Sequence, residues 1–426
     1  MISRSGAARP NVVFILADDL GYGDLSSFGR PDYDTPNLDR LAREGIRFTS
    51  AYSASPLCTP TRCGFITGRY PARTKVGLEE PLDWKKSLGD EASALGLPPD
   101  HPTLASLLKK SGYETSLVGK WHLGYLPWFG PLQSGFDEFF GILSGGVDYF
   151  SHKDGDGEPD LFEASVPVER IGYLTDLLTE RALKVISRRR SRPFYLSLHY
   201  TAPHWPWEGP GDAAIGRGAG SGLSKLTAGG SLKTFAEMVK RLDDGVGEVM
   251  KYLRRSALDR NTLVIFTSDN GGERFSYNWP FRGQKFQLWE GGIRVPAIVR
   301  WPGVVPPHRS TEQVAITMDW TATILGVTGS KPDANYPLDG NDLMPICKGG
   351  AAYERKFFWR NGKQDAARNG RWKYLNDNRQ EYLFDLATDQ REQADFKERR
   401  PEVLGQLKKD FDQWQSQMLP RKRNMD

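Results

Sequence analysis

The pentapeptide at residues 58–62, CTPTR, combines a thiol, a helix start and a cation within about one helical turn. Pro60 suits the first turn of a helix, so the sequence predicts a helix over residues 59–68. Because a helix N-terminus favours negative charge, it would stabilise an oxyanion formed from Cys58. Arg62 can reach back to the same point. The pattern therefore makes Cys58 a candidate for nucleophilic chemistry at the start of this helix.

Two pairs of polar residues follow directly after apolar stretches. Asp18 and Asp19 come after NVVFILA, and Asp269 and Asn270 come soon after NTLVIFT. Each of these residues alone is typical of a turn or a helix cap. Together they provide three carboxylates and one amide oxygen, an all-oxygen set that suits calcium or magnesium. The two pairs therefore predict a metal site.

Four more residues could supply positive charge and proton transfer. Lys120 and His122 stand two apart at the end of a predicted strand, so both side chains can face one site. His204 also follows a predicted strand, and Lys285 precedes Trp-Glu-Gly-Gly. Each of them alone is more simply a structural or solvated residue. Beside a metal and a nucleophile, the set suits attack on an anionic tetrahedral ester, which requires cations and an acid for the leaving group.

Composition and missing motifs argue against several other classes. The 426 residues carry a net charge of +4, so nucleic acid is not an expected partner, and no apolar stretch is long enough to span a membrane. The chain has neither a Gly-rich nucleotide loop nor a G-x-S-x-G elbow. Cys58, Cys63 and Cys347 are too few for a disulfide framework. The N-terminus as written has no secretory signal, which predicts a cytoplasmic protein, or a periplasmic or secreted one if a leader was trimmed.

Alternating strands and helices must position these side chains. The predicted strands are Asn11–Ala17 and residues 47–52, 117–120, 193–200 and 261–267, and the predicted helices are residues 35–45, 59–68, 103–110, 174–188 and 234–254. This order favours an α/β fold with a largely parallel sheet. The polar residues follow the strands, and sites in such sheets lie beyond the carboxyl ends of the strands.

The pattern changes after about Gly340. Short strands at residues 356–360, 364–375 and 381–385 precede a helix at 401–418, which predicts a smaller α+β subdomain with a short antiparallel sheet. We divide the chain into a catalytic domain of residues 1–340 and a C-terminal subdomain of residues 341–426.

Residues 209–230 are rich in Gly, Ala and Ser and predict a surface loop, which is either a lid near the site or an insertion without a role.

These motifs resemble those of the formylglycine-dependent (type I) sulfatases of the alkaline phosphatase superfamily. The resemblance extends from Asn11 to about Asp395 and includes LADDLGYGD, SPLCTPTRCGFITGR, VGKWHLG, GFDEFFG, TAPHWP, FTSDNGG, KFQLWEGGIRVP and RNGRWKYL. It implies an alkaline phosphatase-like fold, with a large mixed, mostly parallel sheet between helices. It also implies a sulfuric ester hydrolase acting on an aryl or carbohydrate sulfate. The GFDEFFG stretch most resembles the arylsulfatase B type, which acts on sulfated amino sugars.

The resemblance also implies how the nucleophile and the metal site are made. A formylglycine-generating enzyme would convert Cys58 to formylglycine (3-oxoalanine), and a hydroxyl of the hydrated aldehyde would attack sulfur. The implied ion is calcium, with magnesium as the alternative. Its implied ligands are the modified Cys58 together with Asp18, Asp19, Asp269 and Asn270.

Roles for the remaining site residues follow from the same resemblance. Arg62 would hold the formylglycine and offset its charge, and Lys120 and Lys285 would bind the sulfate oxygens. His204, with Lys285, would protonate the leaving alcohol. His122 would take a proton from the second hydroxyl, so that the sulfated intermediate collapses to sulfate and aldehyde. A polar residue after GFDEFFG often contacts the site in this family, and the candidates are Ser144, Asp148 and His152.

Two other functions stay open at this point. The first is a phosphonate monoester hydrolase or phosphodiesterase of the same superfamily, against which the pair Lys120 and His122 argues. The second is an inactive binding protein on the same scaffold, for which we would expect a lost nucleophile or ligand. Six aromatic residues near the predicted site in sequence could stack on a sugar or aryl ring, namely Trp121, Trp128, Phe129, Trp205, Trp207 and Trp279.

Overall fold

The structure, a computed structural model, describes residues 9–79, 81–82, 94–214 and 226–421. Its strands are β1 (Asn11–Ala17), β2 (Ile46–Phe48), β3 (Ala51–Tyr52), β4 (Glu114–Gly119), β5 (Glu138–Gly141), β6 (Phe162–Glu163), β7 (Val166–Pro167), β8 (Phe194–His199), β9 (Thr262–Ser268), β10 (Ala297–Arg300), β11 (Arg309–Thr311), β12 (Ala315–Ile316), β13 (Lys356–Asn361), β14 (Gln364–Asn369), β15 (Trp372–Asp377) and β16 (Gln380–Asp385). Its helices are α1 (Pro36–Arg43), α2 (Cys58–Thr67), α3 (Leu104–Lys110), α4 (Leu174–Ile186), α5 (Leu232–Arg255), α6 (Glu290–Ile293), α7 (Thr317–Thr328), α8 (Met344–Cys347) and α9 (Pro401–Gln415). None of these helices is both long and apolar enough to cross a bilayer.

A ten-stranded sheet forms the centre of the fold, in the order β11-β2-β10-β9-β1-β8-β4-β5-β6-β7. Strands β9, β1, β8, β4 and β5 run parallel, whereas β10 is antiparallel to both of its neighbours. This confirms the predicted large mixed, mostly parallel sheet. Because the parallel strands share one carboxyl edge, the residues that follow β1, β4, β8 and β9 are brought together there.

The two faces of β1 explain its continuous apolar sequence. Val12, Phe14 and Leu16 pack in one core cluster, and Val13 and Ile15 pack in the cluster on the opposite face. Since helices cover both faces of the sheet, the side chains on both sides of this strand are buried, and its sequence does not alternate between polar and apolar residues. Phe14 also stacks on Phe65 of α2 with ring centroids 3.9 Å apart, which fixes the helix that begins at Cys58 against the sheet.

Some predicted elements differ from the observed ones. Residues 47–52 form two short strands rather than one, and residues 364–375 contain the turn between β14 and β15, where Gly370 has a φ of +55°. A positive φ suits the tight connection of a hairpin. Helix α7 was not predicted, because nearly all of its residues are buried and no polar face reveals a helical period. Of the glycine-rich segment at 209–230, residues 215–225 lie outside the described residues.

The C-terminal unit is a four-stranded antiparallel sheet, β13-β14-β15-β16, with α9 against it. This confirms the predicted short antiparallel sheet. Its apolar residues, including Trp359 and Phe411, share one cluster with Leu288 and Ile293 of the large unit. The boundary at residue 340 stays a prediction.

A buried ion cluster crosses this interface. The ammonium of Lys373 on β15 lies 3.0 Å from Glu290 Oε1 and 2.8 Å from Glu392 Oε1, and it donates to the Leu288 carbonyl at 2.8 Å. All three charged side chains are fully buried. Burial, opposed by Lys373, raises the pKa of Glu392 to about 7. For Glu290, attraction to Lys373 and Arg294 outweighs burial and lowers the pKa to about 2.

We expect Lys373→Met to lower the free energy of unfolding by about 3–5 kcal/mol, because it leaves two buried carboxylates without their shared cation. Urea unfolding at pH 7.5 measures this change. The matched control is Lys408→Met, which removes a half-exposed lysine 2.6 Å from Glu381 and should cost less than about 1 kcal/mol. Equal effects of the two variants would contradict the prediction.

Candidate functional site

The structure brings all ten residues of the predicted site to the carboxyl edge of the parallel strands. Each of them is at most 4% exposed. They are Asp18, Asp19, Cys58, Arg62, Lys120, His122, His204, Asp269, Asn270 and Lys285. Their roles stay predictions, and their contacts, described next, show what chemistry the cluster allows.

Asp18, Asp19, Asp269 and Asn270 meet where β1 and β9 end. The backbone of Asp19 is left-handed, with a φ of +62°, and its N–H donates to Asp269 Oδ1 at 3.1 Å. Asn270 Nδ2 donates to Asp19 Oδ1 at 2.7 Å, while Asn270 Oδ1 is buried and has no hydrogen-bond partner among the described residues. A buried acceptor beside three carboxylates is costly unless it binds a cation, so these residues fit a hard divalent ion.

Cys58 is the first residue of α2 and faces the same carboxylates. Its Sγ lies 3.5 Å from Asp18 Oδ1 and 3.9 Å from Asp19 Oδ1. Ligand atoms of Asp18, Asp19, Cys58 and His204 all lie within 4.8 Å of one another. Burial raises the pKa of Cys58 well above its usual value despite the nearby Lys120 and Lys285. Because the thiolate is the nucleophilic form, the unmodified thiol is poorly suited to attack an ester.

Each carboxylate of the cluster has its own cation. Lys120 Nζ lies 2.7 Å from Asp18 Oδ2, and Lys285 Nζ lies 2.6 Å from Asp19 Oδ2. Arg62 donates from Nε and Nη2 to Asp269 Oδ2 at 3.1 and 2.9 Å. These three acids and three cations cancel, and Glu273, 3.7 Å from Lys285 Nζ, adds a fourth carboxylate, so a divalent cation would give the cluster a charge of about +1. Such a site attracts an anionic ester.

The pKa values of the acids reflect this crowding. Burial, reinforced by Asp18, raises the pKa of Asp269 to about 6. For Asp19, burial is outweighed by the attraction of Lys285 and His204, and the pKa is lowered. A bound cation would favour the ionised form of both acids.

The two predicted histidines use different ring nitrogens to bond to a backbone carbonyl. His122, with a φ of +58°, places Nε2 3.1 Å from the Leu82 carbonyl oxygen, and its buried Nδ1 has no partner among the described residues. His204 places Nδ1 2.7 Å from the Trp205 carbonyl and Nε2 3.6 Å from Asp19 Oδ2. Since a carbonyl only accepts, the bonded nitrogen carries the proton in each ring. Burial and nearby cations lower the pKa of both rings well below the usual value.

Sequence reasoning missed His199 and Glu273. His199 Nδ1 lies 3.1 Å from the Lys120 carbonyl and 3.4 Å from Arg62 Nη1, so this ring packs behind the arginine. Polar residues two apart in the apolar stretch PFYLSLHY are the signal that could have found it. Glu273 Oε2 lies 3.7 Å from Lys285 Nζ.

The three candidates after GFDEFFG lie in one loop with different contacts. The N–H of Ser144 donates to Asp160 Oδ2 at 2.9 Å, Asp148 Oδ1 accepts from the Ser151 N–H at 2.7 Å, and His152 Nε2 lies 3.1 Å from the Gly172 carbonyl. Beside Ser144, a Cβ at Gly145 would come within 2.9 Å of the His122 ring. Of the three candidates, Ser144 is therefore the one adjacent to Gly145, whose backbone packs against the ring of His122.

Comparisons with known proteins show which family the chain is similar to. The sulfatase family model matches residues 10–330. The chain is 35% identical to N-acetylgalactosamine-6-sulfatase of Mus musculus, over 85% of this chain and 71% of that protein. It is 33% identical to steryl-sulfatase of Mus musculus, over 83% and 69% of the two chains. Among solved structures, it is similar to Ps i-CgsB in complex with k-i-k-neocarrahexaose, with a TM-score of 0.85 and 30% identity over 98% of this chain and 95% of that one.

Proposed function

The chain belongs to the sulfatase family and is a sulfatase enzyme; on that premise we propose that it hydrolyses a carbohydrate sulfate ester with a formylglycine derived from Cys58. The observation that carries the proposal is Cys58 Sγ, placed 3.5 Å from Asp18 inside a buried cluster of three carboxylates and three cations. The carbohydrate substrate is supported by the relative named N-acetylgalactosamine-6-sulfatase and by the saccharide in the Ps i-CgsB complex.

Calcium is the ion we propose for the site, held by the modified Cys58 with Asp18, Asp19, Asp269 and Asn270. When bound, it supplies positive charge that favours an anionic nucleophile and an anionic ester. The Oδ1 of Asn270 supports this assignment, because it is a buried acceptor beside the carboxylates and has no hydrogen-bond partner among the described residues. A formylglycine-generating enzyme in the same compartment is the implied maturation partner.

A hydrated formylglycine carries two hydroxyls on one carbon. One can attack sulfur, and the bond from sulfur to the ester alcohol breaks; loss of the proton from the other hydroxyl then expels sulfate and restores the aldehyde, which water hydrates again. His122 is suited to accept that proton, because its Nε2 faces the Leu82 carbonyl and its Nδ1 has no hydrogen-bond partner in the described part of the chain. Arg62 offsets negative charge at the start of α2, and its two bonds to Asp269 fix its orientation.

The leaving alcohol requires a proton. Lys285 keeps its charge, because the attraction of Asp19 outweighs burial and raises the lysine pKa. His204 directs Nε2 into the site, and an anionic ester beside this ring would favour its protonated form. We therefore assign leaving-group protonation to His204 with Lys285, and binding of the sulfate oxygens to Lys120 and Lys285.

We expect the protein, co-expressed with a formylglycine-generating enzyme, to show a kcat/KM for N-acetylgalactosamine 6-sulfate or 4-nitrophenyl sulfate at least ~100-fold above that for phenyl phosphonate monoesters. A factor of this size corresponds to about 2.7 kcal/mol of differential transition-state stabilisation. Initial rates under matched conditions measure it, and protein expressed without the maturation enzyme is the control. A higher rate on the phosphonate would favour the phosphonate hydrolase instead, and binding without turnover would favour an inactive binding protein.

A further inference from the structure

Phe286 is an exposed aromatic residue beside a buried site cation. Its side chain is 47% exposed, whereas the adjacent Lys285 is 4% exposed. The Lys285 ammonium lies 5.5 Å from the centroid of the Phe286 ring and 2.6 Å from Asp19 Oδ2. The ring therefore lies at the rim of the site, next to the cation to which we assign a sulfate oxygen.

The backbone of Phe286 is strained and held on two sides. Its φ of +72° is left-handed, a conformation that residues with a Cβ avoid. Its N–H donates to the Pro56 carbonyl at 3.0 Å, and its carbonyl accepts from Asn361 Nδ2 at 2.9 Å. The first bond leads to the segment just before Cys58, and the second leads to the C-terminal sheet. Strain held by the surrounding structure is typical of functional sites.

The six aromatic residues predicted from sequence differ in exposure and contacts. Trp128 is 54% exposed, and Trp205 lies against the site histidine His204 with ring centroids 4.2 Å apart. Trp121, Phe129 and Trp207 are at most 6% exposed and belong to the interior. Trp279 is half exposed, but Arg391 stacks on it at 4.0 Å. Phe286 combines exposure with a measured proximity to a site cation.

We propose that Phe286 is a specificity-determining residue that packs against the ring of the leaving group, either the apolar face of a pyranose or an aryl ring. This inference rests on the proposed function, because it needs the sulfate at Lys285. The site residues below the rim are buried, so the rest of an ester bound there extends outward to the rim, where Phe286 lies. Stacking on an aromatic ring then selects cyclic over small acyclic esters.

The test measures binding to Cys58→Ala protein with and without Phe286→Ala. Titration calorimetry gives the Kd for 4-nitrophenyl sulfate, N-acetylgalactosamine 6-sulfate and sodium sulfate. We expect Phe286→Ala to weaken binding of the ring esters roughly 3- to 10-fold and to leave the Kd of inorganic sulfate unchanged. The two esters separate an aryl from a sugar preference. An unchanged Kd for both esters, or an equal loss for inorganic sulfate, overturns the proposal.

Two further variants separate this role from a structural one. Phe286→Gly removes the ring and the strain together, so its melting temperature should match or exceed that of the wild type while ester binding still weakens. A lower melting temperature with unchanged ester binding would make the ring structural. Tyr353→Ala is the matched control. It removes another exposed aromatic ring, from a residue whose backbone N–H donates a hydrogen bond to Gln313. Failure of the proposed function is recognised separately, as matured wild-type protein that hydrolyses neither of the two esters.

Discussion

Cys58→Ser should lower kcat for 4-nitrophenyl sulfate by about 10⁴-fold or more, the scale of losing a covalent nucleophile. Serine has one hydroxyl, so a sulfated serine has no second hydroxyl whose proton loss could expel sulfate. We therefore expect at most one turnover, seen as a burst of up to one equivalent of 4-nitrophenol. Intact mass of the peptide that holds residue 58 should show the trapped sulfate, whereas Cys58→Ala should show neither burst nor adduct.

Cys63→Ser is the matched control for this experiment. Cys63 is also buried in α2, but its Sγ lies 3.0 Å from Thr74 Oγ1 rather than in the acidic cluster. Its replacement should leave kcat within about threefold of the wild type, because a hydroxyl can still bond to Thr74. Full multiple turnover by the Cys58→Ser variant would show that another group attacks sulfur.

Removal of divalent cations should lower activity by at least ~100-fold, because the positive charge that favours an anionic nucleophile is lost. The loss should be reversed by calcium, and less fully by magnesium, which prefers a stricter octahedral geometry. We also expect a lower melting temperature, since an ion present at about 100 times its Kd stabilises the fold by about 2.7 kcal/mol. Activity and thermal unfolding after dialysis against a chelator measure both effects, with metal analysis for stoichiometry.

Asp269→Asn tests the same site without a chelator. It keeps the shape of the side chain but removes one of three carboxylate charges, so we expect weaker metal binding and a higher calcium requirement for activity. Asp176→Asn, which changes a partly exposed acid paired with Arg241, is the control and should leave the calcium requirement unchanged. Full activity in the chelated wild-type enzyme would contradict the metal assignment.

The short-range parts of this protein could be predicted from sequence. The run Asn11–Ala17 is apolar throughout because both faces of β1 are covered, so its strand has the predicted bounds. The helix predicted at residues 59–68 from the position of Pro60 is observed at Cys58–Thr67, one residue earlier. Strand ends followed by Asp18 and Asp269 indicated the functional edge, because parallel strands share that edge.

Only the tertiary structure decided which side chains meet. Lys285 pairs with Asp19 across 266 positions and Lys120 with Asp18 across 102, and no local period encodes either choice. His199 behind Arg62 and the exposed ring of Phe286 likewise depend on packing between distant segments. Helix caps, turns and the periodic spacing of apolar residues depend on a few neighbouring residues and can be recognised in the sequence. Pairing inside a buried cluster is decided by the strand order of the sheet, because that order determines which strand ends lie within a few ångströms of one another.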